Sequence, residues 1–330
     1  MKILVIRLSS IGDVLLTSPL LRAIKQQRPD IEIDFLTKRR FLDVIRENPN
    51  ISRCHYFDQS LSEIVPLLTE GNYDLVIDLH KNFRSARVKR AVKSKSHSFP
   101  KLNIRKWLLV QGKINVMPDI HVVDRYFKAA RSLGVKPDNH GLDFYLDPTT
   151  TTPEEILPPL YSDGYLGVVI GAQHETKCMP PEGLAAIIRK INKPTVLLGG
   201  SMESEKAEII MNLLPQAEIY NACGNRSLME SARLVRHARC LVTHDTGLMH
   251  VGAAFQVPMA VLWGNTVPAF GMGPYYGKHS NTPWFSAEVK ELRCRPCSKI
   301  GFDSCPKKHF KCMVNQDTEA IATFCLDIMN

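Results

Sequence analysis

Short apolar runs alternate with stretches whose apolar residues recur three and four positions apart, and this alternation continues along most of the chain. Lys2–Leu8 is a compact apolar run of the kind a buried parallel strand shows. Gly12–Gln27 follows with Val14, Leu15, Pro19, Leu20, Ala23 and Ile24 at helical spacing. The same reading makes Ile31–Leu36, Ser52–Phe57 and Leu75–Leu79 strands, with Phe41–Glu47 and Leu61–Glu70 helical between them. A strand–helix order of this kind predicts a parallel sheet covered by helices on its faces.

A Thr/Pro-rich stretch from Pro148 to Pro159 interrupts the order. The alternation then restarts. Strands are expected at Leu166–Ile170, Thr195–Gly199, Cys240–His244 and Met259–Trp263. Helices are expected at Glu182–Ile191, Glu203–Leu213, Leu228–His237 and Leu248–Phe255. The prediction is an α/β protein of two doubly wound, Rossmann-like domains, residues 1–155 and 156–330, with a ligand in the cleft between them. A chain of 330 residues is long enough for two such cores.

Charge changes this picture in one respect. Residues 1–150 hold 25 Lys and Arg against 16 Asp and Glu, a net of +9, while the remainder is neutral. Residues 79–118 hold 11 Lys and Arg and no acid. Such a stretch is either a solvated basic face or a surface for an anionic partner. Only Phe83, Phe99 and Trp107 supply aromatic rings within it, which argues against a nucleic-acid groove. Hydrophobic residues at 44% and charged residues at 23% are an ordinary globular composition. No run of 18 apolar residues predicts a spanning helix, and the N-terminus reads as a first strand rather than a signal peptide. Nine cysteines without an export signal predict free thiols in the cytoplasm.

Candidate chemistry sits where strands turn into helices. Arg7-Leu8-Ser9-Ser10-Ile11-Gly12-Asp13 is a small-residue turn that ends in a carboxylate. It is neither the dinucleotide G-x-G-x-x-G nor a P-loop, which counts against a nicotinamide dehydrogenase and a P-loop kinase. Asp13 is either a helix-capping acid or a general base for a hydroxyl. Asp245-Thr246-Gly247 joins a strand to a helix whose N–H groups favour an anion, with His250 one turn along. Lys177 leaves the loop after the first strand of the second half and suits a diphosphate leaving group; a solvated lysine is the plainer alternative. Gly199-Gly200-Ser201 is another strand end, open enough for a flat ring. Cys294, Cys297, Cys305 and Cys312, with His309 nearby, could form a structural zinc site. Their later spacings match no ribbon or finger, so a loop of free thiols is preferred.

In order, KILVIRLSSIGDVLLTSPLLRAI, DLHKNFRSAR, GAQHETKCMP, LLGGS and THDTGLMHVGAA resemble glycosyltransferase family 9, whose best-known members are lipopolysaccharide heptosyltransferases. The resemblance implies a GT-B fold, with the acceptor held mainly by the first domain and the nucleotide sugar by the second. It implies an inverting transfer, most simply of heptose from ADP-heptose to a lipopolysaccharide core acceptor, without cofactor or metal. A nucleotide-sugar hydrolase or epimerase on the same fold is the alternative. By position, Asp13 matches the catalytic base and Lys177 the group that meets the diphosphate. Ser10, Gly12, Gln173, Lys177, Gly200, Ser201, Arg226, Asp245, Thr246, Gly247 and His250 fall at donor-binding positions. Arg84 and Arg125 fall at acceptor-binding ones. The chain departs from the family in Ala172-Gln173 and in Cys178-Met179-Pro180, where other members carry a Thr pair and an aromatic before proline. The resemblance also implies that the last helix, Asp317–Met329, returns to the first domain. The basic stretch, with Trp107, Leu108, Leu109 and Val110 inside it, suits an anionic glycolipid and peripheral attachment to the inner membrane.

Overall fold

The computed structural model describes residues 1–330. Its strands are β1 (Lys2–Ile6), β2 (Glu32–Lys38), β3 (Arg53–Phe57), β4 (Leu75–Asp78), β5 (Lys95–Ser98), β6 (Leu166–Val169), β7 (Thr195–Leu198), β8 (Ile219–Asn221), β9 (Cys240–His244), β10 (Met259–Trp263) and β11 (Trp284–Glu288). The helices are α1 (Ile11–Leu15), α2 (Ser18–Gln27), α3 (Val65–Glu70), α4 (Phe83–Val92), α5 (Asn103–Trp107), α6 (Val122–Phe127), α7 (Pro153–Ile156), α8 (Pro181–Ile191), α9 (Ser204–Leu213), α10 (Leu228–His237), α11 (Gly247–Ala254), α12 (Lys311–Val314) and α13 (Thr318–Met329). No helix is long and apolar enough to cross a membrane.

Two compact units result. The first comprises residues 1–102, 120–145 and 275–280; the second comprises 103–119, 146–274 and 281–330. The chain therefore passes between them more than once. Segment 120–145 is tied into the first unit by Arg22 of α2, whose guanidinium meets Asp138 at 2.7 Å, Asp143, and the Gly141 carbonyl at 2.9 Å. Residues 275–280 join the same unit through backbone bonds from Leu142 to Tyr275 and from Lys278 to Asn139. The Gly277 backbone has φ of +85°, and a Cβ there would lie 2.5 Å from the Gly141 nitrogen, so only glycine fits.

The first unit holds a five-stranded sheet in the order β3-β2-β1-β4-β5, the second a six-stranded sheet in the order β11-β10-β9-β6-β7-β8. Every pairing is parallel. Both are doubly wound. In each, the chain leaves the first strand to build one side of the sheet and then returns to build the other. The reversal falls between β1 and β4 in one sheet and between β6 and β9 in the other. Loops diverge from the carboxyl ends of the strands at such a point and leave a crevice, which is where open α/β sheets bind ligands.

Leu4, Ile6, Leu36 and Val76 on adjacent strands pack with Leu68 and Val88 of the covering helices in the first unit. In the second, Val168, Leu197, Val242 and Leu262 pack with Ile187, Ile191, Ile321 and Cys325. The last helix thus corrects the expectation drawn from the resemblance. Ile321, Ala322, Cys325 and Met329 recur on one face and are buried against α8 and the second sheet, so α13 belongs wholly to the second unit. Leu109 and Val110 are likewise buried, on Phe270, and are not free to enter a membrane.

Candidate active site

In the first unit the turn after β1 folds so that Ser10 caps α1 and Asp13 is the third helical residue. Asp13 is therefore not the cap itself. One oxygen accepts from the Ser10 backbone at 3.2 Å and the Ser10 hydroxyl at 3.1 Å, an arrangement that completes a capping box. The other oxygen lies 2.5 Å from the Arg7 guanidinium. Arg7 is buried and also donates to the carbonyls of Ser9, at 3.0 Å, and Leu79. It thus binds the end of β4 to the turn after β1, across the sheet's reversal point. Burial pushes the Asp13 carboxyl up, but the Arg7 charge and hydrogen bond and the two bonds from Ser10 outweigh it, so the group titrates below its ordinary value. Asp13 is ionised at neutral pH and accepts only.

His80 follows β4 at the same point. Burial first, then the charges of Arg7 and Lys101, pull its imidazole down to about 4, so the ring is neutral. Its Nδ1 is buried without a hydrogen-bond partner. Arg84 is exposed on the first turn of α4, whereas Arg125 is 1% exposed within α6. These two arginines occupy different environments.

In the second unit, Lys177 ends a short helical turn after β6, and its ammonium lies 2.6 Å from the Asp245 carboxylate, which follows β9. The same oxygen accepts from the Thr266 hydroxyl at 3.0 Å. Thr246 caps α11 by accepting from the Met249 backbone at 3.3 Å, and Gly247 opens the helix. His250 is buried in its first turn. Lys177, Asp245, Thr246, Gly247 and His250 therefore lie on the two loops that diverge at the second reversal point. Because Lys177 neutralises Asp245, the partial positive charge of the helix N-terminus remains available to an anion.

The Lys177 loop is fastened from three sides. His244, fully buried, accepts from the Met179 backbone at 2.9 Å. Thr176 exchanges hydrogen bonds with the Phe302 backbone, and its own carbonyl accepts from Asn265 at 3.3 Å. Burial, then Lys206, holds His244 down to about 4, which keeps it neutral and able to accept through Nε2. Asn265, after β10, has both amide atoms buried without partners.

The other expected donor residues follow neighbouring strands. Gly200 and Ser201 come after β7. Glu203 accepts from the Gly200 backbone at 2.8 Å, and its side chain lies where a Cβ on Gly171 or Gly199 would sit, which is why both are glycine. Gln173 is exposed in the Lys177 loop. Arg226, after β8, is engaged with the Tyr220 hydroxyl at 2.9 Å and Glu230 at 3.4 Å. Asp245 and Arg226 thus stand three strand positions apart, roughly 14 Å by strand spacing. Ser10 and Gly12 belong to the first unit, with Ser10 occupied by its cap.

Each reversal point thus carries an ion pair, Arg7–Asp13 within the turn after β1 and Lys177–Asp245 between the loops after β6 and β9. The model of glycosyltransferase family 9 (heptosyltransferase) matches residues 64–297, well over half of the chain. The chain belongs to this family. Lipopolysaccharide heptosyltransferase 3 of Escherichia coli is 24% identical over 285 residues, covering 78% of this chain and 81% of that protein. Lipopolysaccharide heptosyltransferase 1 of the same organism is 26% identical over 305 residues, with 84% and 92% covered. Among solved structures, E. coli ADP-heptose lps heptosyltransferase II superposes with a TM-score of 0.73 at 19% identity, covering 100% of this chain and 98% of the other. The two doubly wound sheets are accordingly a GT-B fold, and this family 9 member is a glycosyltransferase.

Arg7 and His244 lie inside the motifs, but nothing in their spacing marks them as clamps. His80 lies inside DLHKNFRSAR with nothing there to mark its role, and Lys101, Asn265 and Thr266 carry no motif. The one available signal was position, since each of His80, Asn265 and Thr266 comes just after an apolar strand. The four clustered cysteines are free thiols, and no three metal-binding side chains converge on a common point. Cys294 Sγ approaches His309 Nε2 only to 3.8 Å.

Proposed function

We propose that this enzyme transfers heptose from ADP-heptose to an anionic lipopolysaccharide core acceptor by a single displacement that inverts the anomeric centre. Two observations carry the reading, one in each unit: an ionised Asp13 at the first reversal point, and the Lys177–Asp245 pair beside the α11 N-terminus at the second. The names of the family 9 relatives support the donor and the acceptor.

In this mechanism Asp13 accepts the proton of the attacking acceptor hydroxyl. Arg7 holds the carboxylate unprotonated and aims it. Neutral His80 takes no proton at pH 7 and offers the acceptor a hydrogen bond. The donor diphosphate lies at the N-terminus of α11. Lys177 shares its charge between Asp245 and the phosphates as the glycosidic bond breaks, and His250 adds a donor from the first turn. Gln173, Gly200, Ser201 and Arg226 extend the donor site along β7 and β8 toward the nucleoside. Arg84 and Arg125 serve the acceptor, and Ser10 and Gly12 shape the turn that presents Asp13. The protein is placed in the cytoplasm, at the inner face of the membrane that carries its acceptor. ADP release from ADP-heptose tests the reading: it should require a lipopolysaccharide core acceptor. Equal release without acceptor would mean a hydrolase, and none with either would remove this donor.

A further inference from the structure

The second unit carries a basic cavity that the transfer reaction does not use. It encloses about 680 Å³ between the α5 arm and the cysteine loop. Val110, Leu292 and Phe302 give it apolar walls, and Arg293, Lys307 and Lys311 bring charge to its rim. No carboxylate lines it. From Leu292 to Cys312 there are six Lys and Arg and one acid, Asp303. Arg295 alone among these cations is spent internally, on the Gly264 and Thr266 carbonyls and Glu288.

The arm beside this cavity is apolar and exposed. Ile104 is 78% exposed, Trp107 55% and Ile114 56%. It is nevertheless well anchored. Leu109 and Val110 pack on Phe270, and the Lys113 ammonium caps the carbonyls of Val110, Cys294 and Pro296 at 2.6–3.1 Å. Trp107 immediately precedes the turn Leu108–Gly112, whose Val110 and Gln111 line the cavity. In the cysteine loop, Ile300 is 65% exposed. An anchored scaffold that holds an indole and isoleucines in water beside unopposed cations is poorly suited to a soluble partner. It matches the boundary of an anionic bilayer, where tryptophan sits at headgroup depth and lysines meet phosphates.

We propose that this face of the second unit docks on anionic membrane lipid: Ile104, Trp107 and Ile114 enter the interface, and the cavity takes a phosphate headgroup between Arg293, Lys307 and Lys311. The inference deepens the reading that the acceptor is a membrane glycolipid, and its test needs neither donor nor acceptor. Full-length protein is sedimented with phosphatidylcholine vesicles, with or without phosphatidylglycerol, and its tryptophan emission is recorded. Binding is expected only with the anionic lipid, with a blue shift that Trp107→Phe removes. The triple variant Arg293→Glu, Lys307→Glu, Lys311→Glu should bind ADP as wild type does but lose vesicle affinity by on the order of 100-fold. Equal binding to neutral and anionic vesicles, or wild-type binding by the triple variant, would each overturn the proposal. Acceptor-dependent ADP release could succeed regardless, so the two readings fail separately.

Discussion

The Lys177 ammonium and the Asp245 carboxylate, 68 residues apart in sequence, meet at 2.6 Å where the loops after β6 and β9 diverge. In the proposed mechanism the pair presets the lysine for a diphosphate while cancelling the carboxylate that would repel one. Lys177→Ala should weaken ADP binding by roughly 10- to 100-fold, the size of a lost charge-assisted hydrogen bond. Asp245→Asn should bind ADP at least as tightly as wild type, because the lysine no longer has a competing anion. Calorimetric titration of both variants checks this. Weaker binding by Asp245→Asn would assign that carboxylate a direct contact with the donor.

His244 controls the same loop from beneath. Its neutral ring accepts from Met179, so His244→Ala leaves a buried N–H unpaired and should cost about 1–3 kcal/mol of stability. The pH dependence follows from the sign of the shift. The folded state holds His244 and His80 near 4, against an ordinary 6.5. Between those values the unfolded chain binds more protons, so the contribution is full above 6.5 and is lost progressively as pH falls toward 4. Melting temperatures between pH 7.5 and 4.5 should decline, and less steeply for a His244→Gln variant. Identical slopes would show that His244 does not titrate in this way.

Much of this was legible in the sequence because both sheets are built from strands buried on both faces. Their apolar runs need no partner to be recognised, and Cys240–His244, Met259–Trp263 and the helix Leu228–His237 form over the predicted residues. Elsewhere the pattern misled for physical reasons. The Gly12–Gln27 helix divides into α1 and α2 near Pro19. Lys95–Ser98 is a polar, solvent-facing edge strand with no hydrophobic signal, and Ile219–Asn221 is only three residues long. Asp13, Lys177 and the Asp245 turn were visible because strand-end turns have local chemistry. The partnerships Arg7–Asp13 and Lys177–Asp245 were not. The second joins loops far apart in sequence, and the first depends on how the seven-residue turn Arg7–Asp13 closes.

A second polar network lies away from this chemistry. Asp34, wholly buried on β2, receives the Tyr73 hydroxyl at 2.7 Å and pairs with His55 at 2.8 Å, with Lys2 3.6 Å away. Asp34→Ala should destabilise the fold by several kcal/mol, since it strands buried donors, while Tyr73→Phe should cost about 1 kcal/mol. Neither should change ADP affinity at a temperature where the variant is folded. Chemical denaturation with a parallel ADP titration separates the two effects.

The cysteine loop gives a further check. Cys54, Cys294, Cys297 and Cys305 are partly exposed, whereas Cys178, Cys223, Cys240, Cys312 and Cys325 are buried. In native protein a thiol reagent should modify the exposed set first, and denatured protein should reveal all nine. About one zinc per chain after purification, with protected thiols, would instead support the metal site that the spacing suggested.

Arg7 holds the Asp13 carboxyl below its ordinary value. Its loss should let the Asp13 pKa rise, so an Arg7→Gln variant should move the acid limb of kcat/KM to higher pH. In wild type that limb should lie below the ordinary carboxylate range. A limb in the same place for both proteins would detach Arg7 from the ionisation of Asp13.

The central claim is that Asp13 takes the proton from the acceptor hydroxyl. Asp13→Asn keeps the size of the side chain and removes its charge. The most direct measurement is single-turnover transfer from ADP-heptose to a lipopolysaccharide core acceptor, read beside ADP affinity. The account predicts a rate lower by about 10²- to 10⁴-fold with ADP binding unchanged. Transfer at the wild-type rate in this variant would contradict it.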